Sequence, residues 1–213
     1  MTRGEIKTAI KDQVDDSTIN DSILNEWIQA ADDRVQIWRP PQDQDQTFDW
    51  WDYLKDEKTY ATQNGISKYA QPDNFRAFIG KEPLSIQDDN QPYTLIDYRD
   101  RDKYSDHVIW MLGKYFYIKA APSVDGKTMT LGFVRFSDPF ATDNDEPEIE
   151  PPYHQAYVAF GKSRYYNQQG DTELENQNLA EFERIMTNKW RDQELAKMQS
   201  AGETASIQKQ FII

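Results

Sequence analysis

Between Glu150 and Gln199 the chain carries its longest helical pattern, and every other segment has to be fitted around it. Tyr153, Ala156, Tyr157, Phe160 and Arg164 recur three and four apart; Leu174, Leu179, Phe182, Ile185, Met186 and Trp190 then do the same. Pro151-Pro152 suits a first helical turn, where a missing N–H costs nothing. The pattern breaks once, at Gln168-Gln169-Gly170-Asp171. Gly170 can close one helix in the left-handed region, and Asp171 or Thr172 can cap the next. The pattern predicts an αα-hairpin with arms of ~18 to 28 residues, ~25–40 Å long at ~1.5 Å per residue. Each arm has one buried face, and the outer face is Gln, Asn, Glu, Lys and Arg.

Upstream, two further helices are expected. Thr2 and Glu5 can form a capping box ahead of Ile6, Ile10 and Val14 over residues 2–14. Thr18–Asp21 is a break with capping residues; Leu24, Trp27, Ile28, Ala31, Val35 and Trp38 then share a stripe over residues 22–38, and Pro40-Pro41 stops it. Residues 42–62 hold Phe48, Trp50, Trp51 and Tyr53 without a period and are expected to be loop.

From Ile66 to Phe136 the pattern turns to strands. Phe75–Ile79, Tyr93–Tyr98, His107–Leu112, Tyr115–Lys119 and Thr128–Phe136 are short apolar runs bounded by Gly, Pro, Asp or Asn. Asp125-Gly126 reads as the turn of a hairpin between the last two. Both carry large residues at successive positions, so both faces are expected to be covered. Residues 137–150 hold six acids and no base, which reads as a solvated connector. The fold class is therefore α+β: a helical bundle of two N-terminal helices plus the long C-terminal αα-hairpin, with an inserted antiparallel β region and an extended C-terminal tail. Residues 1–41 and 149–198 form one helical body, 42–148 the β region with its acidic connector, and 199–213 the tail.

Charge and composition exclude several functions. A net charge of −13 opposes ordinary DNA binding, which needs Lys and Arg to displace counterions. It also disfavours unaided self-association, so a soluble monomer is expected before any partner is met. Zero Cys removes disulfides and thiolate metal sites. No run of ~18 apolar residues and no signal peptide is visible, so a soluble, intracellularly made protein is expected, with no membrane. Hydrophobic residues make up only 38% of the chain and aromatics 13%, which predicts a thin, aromatic-rich core.

Catalytic patterns are sparse. Gly161-Lys162-Ser163 is the tail of a phosphate loop, but residue 156, where the first Gly belongs, is Ala, and the segment reads as mid-helix. A close helix approach at Gly161 is the plainer reading. His107 and His154 stand far apart in sequence, and His154, beside a helix start, reads as a surface or interface residue. Asp143-Asn144-Asp145 lacks the Gly and distal Glu of a calcium loop. No catalytic, cofactor or metal residue is expected, and no enzyme. Trp50, Trp51 and Tyr53 could stack on sugars or bases, but core or subunit packing is the plainer reading. Phe211, Ile212 and Ile213 end the chain as an apolar cluster that could add to a partner.

The order of these elements resembles the head-to-tail adaptor (connector, head-completion) proteins of tailed bacteriophages. The residues that carry the likeness are Thr62–Tyr69 followed by Gln71-Pro-Asp-Asn-Phe-Arg76, then Tyr117-Ile-Lys-Ala-Ala-Pro122 with Gly126, Thr128 and Leu131–Arg135. Ile149-x-Pro-Pro-Tyr153-His154-x-Ala156, with Gly170-Asp171 and Leu179-x-x-Phe182, carries it through the helical hairpin. The Trp50-Trp51 segment and the acidic stretch have no counterpart.

The resemblance implies a dodecameric ring of identical subunits under the portal, in the virion after assembly in the host cytoplasm. The ring extends the DNA channel and docks the tail or a stopper protein. Carried over, Phe211, Ile212 and Ile213 are the portal anchor and residues 199–207 the tether. An acidic channel wall repels passing DNA without binding it, and Glu146, Glu148 and Glu150 stand as the candidate channel-facing acids. The competing expectation is a carbohydrate-binding or carbohydrate-hydrolysing virion protein using the Trp50–Tyr53 aromatics.

Overall fold

A computed structural model describes residues 1–41 and 48–200. Phe211, Ile212 and Ile213, and all of the tail beyond Ser200, lie outside the described residues. The architecture is α+β, with α1 (Arg3–Gln13), α2 (Asp21–Ile37), α3 (Gln155–Gln169) and α4 (Thr172–Ser200) enclosing eight strands in sequence. The strands are β1 (Lys55–Ala61), β2 (Lys68–Ala70), β3 (Phe75–Phe78), β4 (Leu84–Ile86), β5 (Thr94–Leu95), β6 (Val108–Leu112), β7 (Tyr115–Ile118) and β8 (Thr128–Arg135). The chain divides into two compact units: a β unit, Asp49–Ser137, and a helical unit made of Met1–Phe48 with the described residues from Asp138 onward.

In the helical unit the capping signals act as written. The Thr2 hydroxyl accepts from the Glu5 N–H while the Glu5 carboxylate accepts from the Thr2 N–H. Asn20 caps α2 through the Ser22 N–H, and Gly170 closes α3 at φ 75°. The Asp171 carboxylate then accepts from the Leu174 N–H, starting α4 two residues after α3 ends. Pro151-Pro152 form a separate 3-10 turn, so α3 begins only at Gln155.

α3 departs from the one-face expectation. Ala156, Tyr157, Val158, Ala159, Phe160 and Gly161 are all buried, because α1, α2 and α4 each pack on it. A helix with neighbours on three sides is buried nearly all round in its first half, and apolar periodicity is lost there. A Cβ at Gly161 would stand 2.3 Å from Cδ1 of Ile10, so the glycine is what lets α1 approach.

The β unit is two small sheets around one core. In the first, β8 is central: β1 pairs along one edge, while β3 and β4 lie end to end along the other, all antiparallel. The second has the order β2-β7-β6-β5, and β5 runs parallel to β6, so the β region is not purely antiparallel. Leu84, Ile86, Met129 and Leu131 from the first sheet meet Tyr69, Ile109, Phe116 and Ile118 from the second.

β7 and β8 are not a hairpin; they belong to different sheets. The loop between them carries the chain across. Buried Thr62 ties it down: the Thr62 hydroxyl donates to the Val124 carbonyl, and the Gly126 N–H donates to the Thr62 carbonyl. The local hairpin is β6–β7 instead, turned at Gly113-Lys114 with Gly113 at φ 63°. β7 also has only one covered face: Phe116 and Ile118 are buried, whereas Tyr115 is exposed and Tyr117 half-buried.

Residues 42–62 are not wholly loop, because β1 falls inside them. Its sequence, Lys-Asp-Glu-Lys-Thr-Tyr-Ala, is that of a charged edge strand, and its pairing to β8 supplies the order that apolar alternation does not.

Candidate functional site

The acidic stretch before the helices keeps four of its six acids exposed, as a solvated connector does, and it is also a built turn. The Asp145 carboxylate accepts from the Thr142 N–H, the Thr142 hydroxyl and the Ala141 N–H, which together hold its pKa below the usual range. Asp143 accepts from Lys7 Nζ at 2.6 Å and from Arg3 Nε at 2.9 Å. The Lys7 bond, then that of Arg3, keeps the Asp143 carboxyl below the normal carboxylate range. Lys7 is 6% exposed, so this carboxylate is what permits the ammonium to be buried on α1.

The three candidate channel acids have different fates. Glu150 receives Nζ of buried Lys189 on α4, whose ammonium also lies 5.3 Å from the Tyr153 ring. Glu148 is half-buried and accepts from the Asp138 N–H at 3.0 Å. Glu146 is exposed. Glu150 thus ties the segment to α4, while Glu148 closes a bond within residues 138–150. Their partners are not adjacent in sequence, so these bonds are not visible from the sequence alone.

The interior of the helical unit holds further polar groups. Tyr157 on α3 donates to Asp32 on α2 at 2.6 Å, and Gln36 donates to the same carboxylate at 2.8 Å. This buried network fixes how α2 and α3 register. His154 is 1% exposed, with Nε2 2.7 Å from the Ile149 carbonyl, and burial pushes its pKa down. It is a core residue and not a surface one.

The Trp50–Tyr53 segment forms no open platform. Trp51 is 1% exposed, Trp50 is covered by the Arg76 guanidinium 4.5 Å from its ring, and Tyr53 is half-buried. Gly161-Lys162-Ser163 lies within α3, where the backbone N–H groups are used by the helix.

In the β unit, His107 sits at φ 49° before β6. Its Nε2 is 3.1 Å from Asp89, its Nδ1 3.4 Å from Asp106, and its ring 5.2 Å from Tyr93. The Asp89 bond, then the second carboxylate, raises the imidazole pKa above its usual value. The cluster binds residues 87–89 to the start of β6 and contains no nucleophile. No group of three or more metal-ligating side chains occurs among the described residues, and no described helix is long and apolar enough to cross a membrane.

Charge and apolar exposure divide sharply between the units. Residues 49–137 hold 13 acids and 12 bases, a net −1, and the rest of the chain holds 24 acids and 12 bases, a net −12. Of ten exposed large apolar side chains among the described residues, only Ile37 is in the helical unit.

Compared with known families, residues 1–205 match the SU10 adaptor protein family. No curated protein matches the chain. With nearly the whole length matched, the chain belongs to the SU10 adaptor protein family, a family of phage head-to-tail adaptors that are structural parts of the virion.

Proposed function

We propose that this chain is a ring-forming subunit under the phage portal, that the ring extends the DNA channel, and that it offers the docking surface for the tail or a stopper. The four helices act as one bundle forming the ring body, and the chain performs no bond-making. The single observation that carries this reading is the family match over residues 1–205. The charge division supports it: a net −12 on the helical unit suits a wall past which phosphate must slide, since like charge leaves DNA few adhesive sites. Glu146, exposed, stays a candidate for that wall, whereas Glu148 and Glu150 have structural partners.

Phe211, Ile212 and Ile213 serve in this reading as the portal anchor, tethered through residues 199–207. The test is to mix the full chain, and a chain cut after Gln199, with purified portal. Low-resolution imaging should find a ring under the portal with the full chain and none with the cut chain. Equal binding by both removes the anchor; absence of any ring with the full chain removes the adaptor reading. The carbohydrate alternative draws little support, since Trp51 is in the core and Trp50 is under Arg76.

A further inference from the structure

The outer face of the second sheet is an uncovered aromatic surface with two cations beside it. Register defines it. Lys68, Tyr117 and Trp110 stand opposite one another across β2, β7 and β6, and Ala70, Tyr115 and Leu112 form the next row. Directly opposed residues share a face and alternate ones return to it, so all six point the same way. The reverse face carries Tyr69, Phe116, Ile109 and Ile118, which are in the core.

On the open face Trp110 and Tyr117 stack with centroids 5.9 Å apart and planes 6° apart. Lys68 Nζ lies 3.8 Å from the Tyr115 centroid. Leu112 is 48% and Tyr115 41% exposed, and Lys114 in the adjoining turn is exposed too. Contiguous apolar surface of this kind marks a binding site, and aromatic side chains with Leu and a few cations are the composition of an interface core and rim.

From this we infer that the Lys68–Trp110–Leu112–Tyr115 face receives the acid-rich helical unit of a second copy of this chain. The inference rests on the ring reading above, which brings identical subunits side by side. Charge selects the occupant. Two helical units facing each other oppose −12 to −12, while the β unit is nearly neutral and presents Lys68 and Lys114 at this face. An approaching carboxylate-rich surface finds two cations around a desolvatable centre, so attraction and apolar burial act together. A second β unit would bring its own lysines against these and gain no such complement.

The experiment uses the full chain assembled on portal from a mixture of isotopically light and heavy copies, with a zero-length carboxyl–amine cross-linker. The expected result is light-to-heavy cross-links from Lys68 or Lys114 to acids of the helical unit. Leu112→Ser, and separately Lys114→Glu, should lower ring formation at least tenfold. Both positions are exposed, so neither change disturbs the core. Cross-links from these lysines to acids within residues 49–137 of the other copy, to portal, or to a tail protein overturn the inference. So do rings that form equally well with both variants; in that case the adaptor reading stands and only the surface assignment falls. If the unaltered chain forms no ring on portal, both fall.

Discussion

Lys7 in the helical unit and Phe116 in the β unit are both buried, but they are held by different means. Lys7 Nζ donates to the Asp143 carboxylate at 2.6 Å; Phe116 is stacked on Tyr69 at 5.5 Å with Tyr60 edge-on at 5.3 Å. The contrast runs through both units. Of ten buried polar or charged residues among those described, only Thr62 and Ser137 lie in the β unit. The helical unit thus has polar groups inside and acids outside, while the β unit has apolar groups inside and apolar groups outside. In the proposed reading, a charged channel wall does without exposed apolar groups, whereas an adhesive face needs them. One chain separates the two by giving each its own core.

The largest test of that separation is Phe116→Ala. Removing a fully buried phenyl costs about 3–5 kcal/mol, all of it in the β unit. Hydrogen exchange in denaturant should show β2, β6 and β7 opening early while α2 and α3 keep their protection. If the helices lose protection together with the strands, the chain is one cooperative body and the contrast fails. Gly161→Ala is the converse. The new methyl meets Ile10 at the α1–α3 contact, and overpacking of this kind costs about 1–3 kcal/mol, of which helix propensity returns about 1. Thermal melts followed by helix signal should drop, with exchange in the strands unchanged.

The helices were legible because their punctuation is local. Thr2 with Glu5, Asn20 before α2, and Gly170 between α3 and α4 each act within four residues of themselves. The β unit was less legible because its order comes from distant pairing. β1 is read as loop until β8 lies beside it, and Asp125-Gly126 looks like a hairpin turn although the chain there is changing sheets. The true turn, Gly113-Lys114, sat unmarked between two apolar runs. The same distance hid the roles of the acids. Nothing near Glu150 in sequence announces Lys189, and nothing near Asp143 announces Lys7.

A smaller effect separates pairing from bulk charge. Asp143→Asn and Glu146→Gln each remove one negative charge from the acidic unit. Only the first leaves a buried ammonium with a weaker partner, so it should cost about 1–2 kcal/mol, toward the low end for a broken pair because Asp143 is half exposed. The second should change stability by less than about 0.5 kcal/mol, with any change favourable through reduced repulsion. Urea midpoints for the two variants give the comparison directly. Equal effects would mean that the helical unit responds to net charge alone and that Lys7 has no particular need of Asp143. The Asp143 contribution also fades in acid: its carboxyl is held below the usual 3.8, so the stability it lends is present above that value and lost as pH falls through the folded pKa.

The smallest effect belongs to the β unit and has the opposite sign with pH. His107 is raised above its usual 6.5 chiefly by the Asp89 bond, with Asp106 adding to it. Tyr93, the other titratable group against the ring, is itself pushed up by burial first and by these two acids second. A raised imidazole favours the folded state while it is protonated. Its contribution is therefore full below 6.5 and disappears as pH climbs through the folded value. Amide exchange, corrected for its intrinsic pH dependence, should show residues 87–94 and the start of β6 loosening over that interval, while α1 to α4 stay as they were. His107→Gln should abolish the pH step and leave the segment at its looser, high-pH protection throughout. A step that survives in His107→Gln would trace the change to another group, and a step shared by the helices would again deny that the two units answer to separate forces.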